Sequence, residues 1–217
     1  VPVRYGDYLK MKSMSNINFV EFHLSYQDLN MINPVNGQND FGYSVHAPEL
    51  FADDHLLDLA ALDEDYRKKS ISNLQRTIQK ARNLRKNFNQ DADPILIVNV
   101  GGWSQNGFLK KKEIQEKTEI LKRSLAEIDF TGVELSIQTM PPYPWHFGGQ
   151  QYHNLFVDPE FIDEFCSETG HKICLDVSHS MMTCNFLKVD FMREYFAKIK
   201  KHINYMHVVD AKGVDGE

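Results

Sequence analysis

Five side chains that could bind a metal ion lie in apolar, strand-like runs of this sequence, at or near the end of each run. They are His46, Glu134, Asp176, His179 and His207. Carboxylate oxygens and imidazole nitrogens are common ligands of divalent cations. If the runs are successive parallel strands, their equivalent ends meet at one rim, where a barrel places its active site. The pattern therefore predicts a metal site at the mouth of a barrel.

The chemistry expected of such a site is proton transfer at a carbon next to a carbonyl group. The carboxylates and imidazoles among these side chains are candidate ligands of one divalent cation, either Mn2+, Mg2+ or Zn2+. Glu134 is also the predicted general base, and His179 is the second predicted catalytic residue. A bound cation acidifies the C–H bond beside a carbonyl. Isomerisation of a sugar requires these parts and no organic cofactor.

Aromatic and charged side chains near the predicted rim are candidates for substrate binding. Trp103 follows a Gly-Gly pair, and Trp145 and His146 lie in a loop rich in Pro and Gly. These rings form either a wall on which a sugar stacks or an apolar plug. Asp210 and Lys212 either grip the substrate or pair with each other. With His46, these residues complete the predicted substrate-binding set.

Glu21 and His23 alternate with Phe22 in the first clear strand of the sequence. Alternation along a strand places these two polar side chains on one face. They line the barrel in either a functional or a structural role.

Short apolar runs alternate with amphipathic helices along the chain. The periodicity predicts strands at 18–24, 43–47, 95–100, 132–137, 172–177 and 203–209, and helices at 63–88, 111–128, 158–170 and 189–201. Repeated βα units form either a doubly wound sheet or a (β/α)8 TIM barrel. No glycine-rich phosphate loop follows the first strand, which disfavours the doubly wound nucleotide-binding sheet. A complete barrel needs about 250 residues. We therefore expect 1–217 to be a single TIM-barrel domain, incomplete at one or both ends, from a longer protein.

Composition narrows the classes of partner. The net charge of −6 gives no general attraction for nucleic acid. Three cysteines do not form an even disulfide framework, which is typical of reduced thiols in a cytoplasmic protein. No apolar run is as long as the roughly 20 residues that cross a membrane.

The motifs Val45–Pro48, Val133–Glu134, Cys174–His179 and His207–Lys212 occur in this order and resemble the xylose isomerase-like TIM-barrel superfamily. The resemblance implies that the six predicted strands are barrel strands two to seven. It also implies one divalent metal ion held by a Glu, an Asp, a His and a further Glu from strand eight. Glu134, Asp176 and His207 match the first three by position. His179 resembles a His that contacts the substrate or supports the ligands, and His46 resembles a His at the mouth after strand three.

The leading hypothesis is a metal-dependent isomerase or epimerase of a small sugar or sugar derivative. A role in carbohydrate biosynthesis, with a fused or associated biosynthetic domain, fits this resemblance. Met140 lies where many related epimerases have a second acidic residue, which weakens the transfer of their mechanism. An endonuclease IV-like metal-dependent phosphodiester hydrolase is the alternative enzyme, although Asn99–Trp103 lacks the His of its HPG motif. A non-catalytic sugar-binding barrel is the third possibility.

Overall fold

A single parallel sheet organises the chain. The computed structural model describes residues 1–14, 16–33, 35–146 and 149–209. Its seven strands are β1 (Pro2–Arg4), β2 (Phe19–His23), β3 (Gly42–His46), β4 (Ile95–Val98), β5 (Glu134–Gln138), β6 (Lys172–Asp176) and β7 (Ile203–His207). They lie side by side in sequence order, and every neighbouring pair is parallel. This is the arrangement of a TIM barrel that lacks one strand.

The predicted fold is confirmed, and each of the six predicted strands is present as one of β2 to β7. β1 was not predicted, because three residues are too few to show a periodic pattern. The sheet is curled, since Ser44 Oγ on β3 lies 2.9 Å from the Tyr205 hydroxyl on β7. These strands are four positions apart in the sheet, and only a curved sheet can bring their side chains into contact.

Helices cover the outside of the sheet. They are α1 (Tyr8–Met14), α2 (Glu64–Arg85), α3 (Lys111–Glu127), α4 (Pro159–Thr169) and α5 (Val177–Leu187), followed by consecutive helical turns at Phe191–Phe196, Ala197–Ile199 and Lys200–His202. Asp63 caps α2 by accepting a hydrogen bond from Tyr66 N at 2.8 Å. Gly170 ends α4 in the left-handed conformation, with φ of 76°. Local capping therefore fixes the helix ends that the sequence predicted.

Apolar and polar side chains alternate along β2. Val20 and Phe22 are buried against the outer layer, where the Phe22 ring packs with Tyr8 and Phe88 at centroid distances of 5.3 and 5.9 Å. Glu21 is also buried, although it is charged. Alternation along the strand turns Glu21 and His23 to the interior of the barrel. The interior is consequently polar at the carboxyl end of this strand.

Candidate metal centre at the barrel mouth

Polar side chains from five strands meet at the carboxyl ends of the strands. They are Glu21 and His23 from β2, His46 from β3, Gln138 from β5, Asp176 from β6 and His207 from β7. The register pairs His23 with His46 and Asp176 with His207, so these residues lie at one level of the sheet. Strands that end together deliver their last side chains to a common rim.

Glu21, His23 and His207 form the tightest part of this cluster. Glu21 Oε1 lies 2.8 Å from His23 Nε2 and 2.9 Å from His207 Nε2. One ligand atom from each of the three residues can be chosen so that all lie within 4.8 Å of one another, and this is the only such group of His, Cys, Asp and Glu in the described part of the chain. A carboxylate and two imidazoles at this separation fit one divalent cation.

Asp176 uses its two oxygens in different ways. Oδ1 caps α5 by accepting hydrogen bonds from Ser178 Oγ at 2.7 Å and His179 N at 3.0 Å. Oδ2 faces the mouth, 3.5 Å from His207 Nδ1. The helix cap therefore fixes the carboxylate so that one oxygen stays directed at the cluster.

Gln138 connects the two sides of the cluster. The Gln138 amide oxygen Oε1 lies 3.0 Å from His46 Nε2. The Gln138 amide nitrogen Nε2 lies 3.1 Å from Asp176 Oδ2 and 3.4 Å from His207 Nδ1. His46 Nδ1 is 2.9 Å from the Ala47 carbonyl, which accepts only, so Nδ1 carries a proton. Neutral His46 then presents a lone pair to Gln138 Oε1.

The hydrogen-bond network of His46, Gln138 and Asp176 has one acceptor without a donor. Burial lowers the pKa of His46 and disfavours the imidazolium that would donate to Gln138 Oε1. Turning the amide would satisfy His46, but it would place an amide oxygen against Asp176 Oδ2. In either orientation two acceptors remain in contact.

The carboxylates and imidazoles of this cluster shift one another's pKa values. Burial alone would raise the pKa of Glu21, but hydrogen bonds from His207 and His23 hold it well below its usual range. Burial likewise opposes ionisation of Asp176, and its bond with His207 and the charge of His179 lower its pKa. Burial would lower the pKa of His207, but Asp176, Cys174 and Glu21 raise it to about 12. The carboxylates are therefore ionised at neutral pH, and His207 holds a proton that a cation would have to displace.

The prediction that Glu134 is a metal ligand and the catalytic base is wrong. Glu134 begins β5, pairs in register with Ile95 at the start of β4, and is exposed. Its Oε1 accepts a hydrogen bond from Asn204 Nδ2 at 2.7 Å. Gln138 lies four residues further along, or about 13 Å at the rise of a strand. Glu134 therefore belongs to the opposite end of the barrel from Asp176 and His207.

The remaining predicted site residues fall into three groups. Asp176, His207 and His46 lie together at the mouth, and His179 lies beside them, with Nδ1 donating to the Thr139 carbonyl at 2.9 Å. Trp103 lies in a short strand, Trp103–Ser104, that pairs with Tyr152–His153. Trp145 and His146 form a short strand whose side chains are not described, and Asp210 and Lys212 lie outside the described residues. The catalytic and binding roles of all these residues stay predictions.

Sequence reasoning left Glu21 and His23 out of the predicted ligand set and overlooked Gln138. The signal for the first two was present, because a Glu and a His alternating with apolar residues must share one face of a strand. Gln138 gave no comparable signal, since an uncharged amide does not stand out as a metal-site residue.

Comparisons with known proteins place the chain in a family. The profile of the family described as "Xylose isomerase-like TIM barrel" matches residues 18–217. The chain therefore belongs to the xylose isomerase-like TIM-barrel family. Among curated proteins, none matches it significantly.

Solved structures share its fold at low sequence identity. A D-tagatose 3-epimerase-like protein is 19% identical with a TM-score of 0.66, and the match covers 100% of this chain and 78% of that one. An L-ribulose 3-epimerase is 14% identical with a TM-score of 0.62, covering 97% and 70%. A D-psicose 3-epimerase, crystallised in the presence of D-fructose, is 12% identical with a TM-score of 0.58, covering 94% and 67%. Within the described residues, no helix has the length and apolar character needed to cross a membrane.

Proposed function

We propose that this chain binds one divalent cation at the barrel mouth and catalyses the isomerisation or epimerisation of a small sugar. The observation that carries the proposal is the convergence of buried Glu21 with the half-buried His23 and His207, with Asp176 adjoining His207. The fold supports the choice of substrate class, since the solved structures described above include sugar 3-epimerases. The single group of ligand atoms in the described residues favours one ion over the cluster expected of a phosphodiester hydrolase.

Glu21, His23 and the Nε2 side of His207 would hold the cation, and Asp176 would orient His207 from the Nδ1 side of the ring. Two imidazoles beside a carboxylate suit Mn2+ or Zn2+ better than Mg2+, which prefers an all-oxygen environment. When bound, the cation supplies Lewis acidity toward the carbonyl and hydroxyl oxygens of the substrate.

The protein side chains supply orientation and proton transfer. Asp176 is held by the cap of α5, so its Oδ2 needs no reordering to orient the His207 ring through Nδ1. His46 is the candidate base for the substrate C–H proton, because the Ala47 carbonyl fixes the proton on Nδ1 and leaves the Nε2 lone pair toward the mouth. Gln138 Oε1 lies 3.0 Å from that nitrogen, from across the barrel.

Cation binding by the full chain tests the ligand set directly. We expect about one Mn2+ or Zn2+ per chain by elemental analysis and calorimetry. Asp176→Asn and His207→Gln should weaken binding at least tenfold, because the first removes the carboxylate that orients His207 and the second removes a ligand. Asparagine keeps an oxygen for the cap of α5, so the variant separates metal binding from folding. Glu134→Gln is the matched control and should bind as the wild type does.

Chemistry is tested with ketoses. The cation-loaded chain should exchange the hydrogen at C3 of D-fructose or D-tagatose with solvent deuterium, which NMR detects. The His46→Gln variant should lose this exchange and keep its cation. Failure of the wild-type chain to bind any divalent cation, or equal loss of binding in Glu134→Gln, contradicts the proposal. Two or three bound ions with phosphodiester hydrolysis would support the alternative enzyme.

A further inference from the structure

A tyrosine on β7 lies one layer deeper in the barrel than the metal cluster. Tyr205 precedes His207 by two positions, so both side chains face the interior. At the rise of a strand, Tyr205 is about 7 Å further from the mouth. The two rings meet edge to face, with their centroids 5.7 Å apart and their planes at 87°. The Tyr205 ring therefore packs against the imidazole of a proposed metal ligand.

The hydroxyl of the same tyrosine reaches the opposite wall of the barrel. The Tyr205 hydroxyl shares a hydrogen bond of 2.9 Å with Ser44 Oγ on β3. Ser44 is buried and pairs in register with Glu21 on β2, so the two side chains are neighbours on the interior face of the sheet. The bond between Ser44 and Tyr205 therefore lies next to the bond between Glu21 and His207. Both bonds connect β7 to the wall formed by β2 and β3.

The position of β7 relative to β2 depends on such side-chain bonds. Within the part of the chain that the structure describes, β7 pairs through its backbone with β6 alone, and the register of that pair shifts between Ile173 and Cys174. Backbone pairing thus leaves the distance across the barrel to the curvature of the sheet. Ligand atoms lie about 2.0–2.2 Å from a zinc ion, so a displacement of β7 by about 1 Å would take His207 out of reach of a cation held by Glu21.

We propose that Tyr205 is a positioning residue for the metal centre. Its hydrogen bond with Ser44 fixes the separation of β7 from β2 and β3, and its ring holds the orientation of the His207 imidazole. Tyr205 does not itself bind the cation, because its hydroxyl is engaged with Ser44 beneath the cluster. The inference rests on the proposed function, since it takes Glu21 and His207 to be ligands of one cation.

Calorimetric titration of the full chain with Mn2+ tests the inference through a double-mutant cycle. Tyr205→Phe removes the hydroxyl and keeps the ring, and Ser44→Ala removes its partner. We expect each variant to bind Mn2+ about tenfold more weakly, as when a residue that orients a metal ligand is lost. The double variant should lose about the same tenfold, because both substitutions break one bond. A loss of about 100-fold in the double variant would mean that the two residues act independently, which overturns the inference.

Ser136→Ala is the matched control for a purely structural effect. Ser136 is a buried serine on β5 whose Oγ donates to Asn204 Oδ1 on β7 at 2.6 Å. Asn204 also donates to Glu134, at the end of the barrel opposite the cluster. Ser136→Ala should therefore lower the unfolding temperature, as Tyr205→Phe does, and leave the affinity for Mn2+ unchanged. Equal loss of affinity in the control, or unchanged affinity in Tyr205→Phe, would make Tyr205 a structural residue only.

Proton NMR of the metal-free chain separates the two proposals. The Nε2 proton of His207 that bonds to Glu21 should give a downfield resonance, and Tyr205→Phe should move it upfield and speed its exchange with water. Ser136→Ala should leave it in place. If the wild type binds no divalent cation and this shift occurs, Tyr205 positions His207 and the metal-dependent activity is wrong. If Mn2+ binds and Tyr205→Phe alters neither the affinity nor the resonance, the metal centre stands and the role of Tyr205 is wrong. If neither cation binding nor the shift is observed, both fail.

Discussion

Glu21 and His207 share a hydrogen bond of 2.9 Å although 186 positions separate them in the chain. The contact joins the second strand of the sheet to the seventh, so it exists only because the sheet curls. On its other side, His207 Nδ1 lies 3.5 Å from Asp176 Oδ2. The His207 imidazole therefore lies between two buried carboxylates, those of Glu21 and Asp176. Its protonation should govern both the stability of the fold and the binding of a cation.

The stability of the metal-free chain should depend on pH through this group. Glu21 and Asp176 have lowered pKa values, so their contribution is present above about pH 4.5 and is lost as the pH falls. His207 has a raised pKa, so its contribution is complete below its ordinary value of 6.5 and is lost progressively as the pH rises. The cluster should therefore stabilise the fold most between about pH 4.5 and 6.5. Urea unfolding from pH 4 to 9 measures this, and His207→Gln should flatten the decline above pH 6.5.

Above neutral pH, the affinity for a cation should rise with pH, whereas the stability of the metal-free chain should fall. A proton on His207 must leave before the imidazole can bind a metal ion, so affinity should rise as the pH rises. Release of one proton corresponds to about a tenfold gain per pH unit. Calorimetric titration with Mn2+ in two buffers of different ionisation enthalpy, between pH 6 and 8, counts the protons released. A pH-independent affinity would contradict the assignment of His207 as a ligand.

Gln138 should act as a positioning residue for the metal centre. Gln138→Leu removes the amide that lies between His46 and Asp176, so Asp176 Oδ2 loses a hydrogen-bond donor. We expect cation affinity to fall about 10- to 100-fold, as for other residues that orient metal ligands. Gln115→Leu, on the exposed surface of α3, is the control. Equal effects of the two substitutions would assign Gln138 no role in the site.

The three cysteines should be unreactive in the folded chain. Burial raises the pKa of Cys166 to about 12 and that of Cys184 to about 11, and it also raises the pKa of Cys174. The thiolate is the reactive form, so a thiol reagent at pH 8 should label none of them in the native state. Labelling in 8 M urea should report three thiols. Rapid reaction of any one without denaturant would contradict the burial described here.

Arg67 should be a main link between α2 and α3. The residue is 1% exposed, and its guanidinium donates to Ser124 Oγ and Glu127 Oε1, both at 2.9 Å. Arg67→Met should lower the free energy of unfolding by about 1–3 kcal/mol, because it leaves these acceptors without their donor. Lys68→Met is the control, since Lys68 is exposed, and it should change stability by less than about 0.5 kcal/mol.

The sequence by itself determined the fold class and part of the site. The alternation of apolar strands and amphipathic helices could be predicted because each element has its own local hydrophobic periodicity. A parallel barrel repeats this strand–helix pair in every unit. Asp176 and His207 could be placed at the mouth because each lies near the carboxyl end of a predicted strand, and in the structure each is the last residue of its strand. The caps at Asp63 and Gly170 also depend on local contacts, and they lie at the start of α2 and the end of α4.

Only the tertiary structure decided which acidic residue lies beside Asp176 and His207 at the mouth of the barrel. Glu134 and Gln138 occupy the two ends of the same strand, and the sequence pattern does not fix where a short strand begins and ends to within the few residues that separate them. Glu21 joins His207 through closure of the curled sheet, a long-range event with no local signature. Periodicity is a property of neighbouring residues, whereas the composition of a barrel mouth depends on strand register and curvature, which the whole chain sets together.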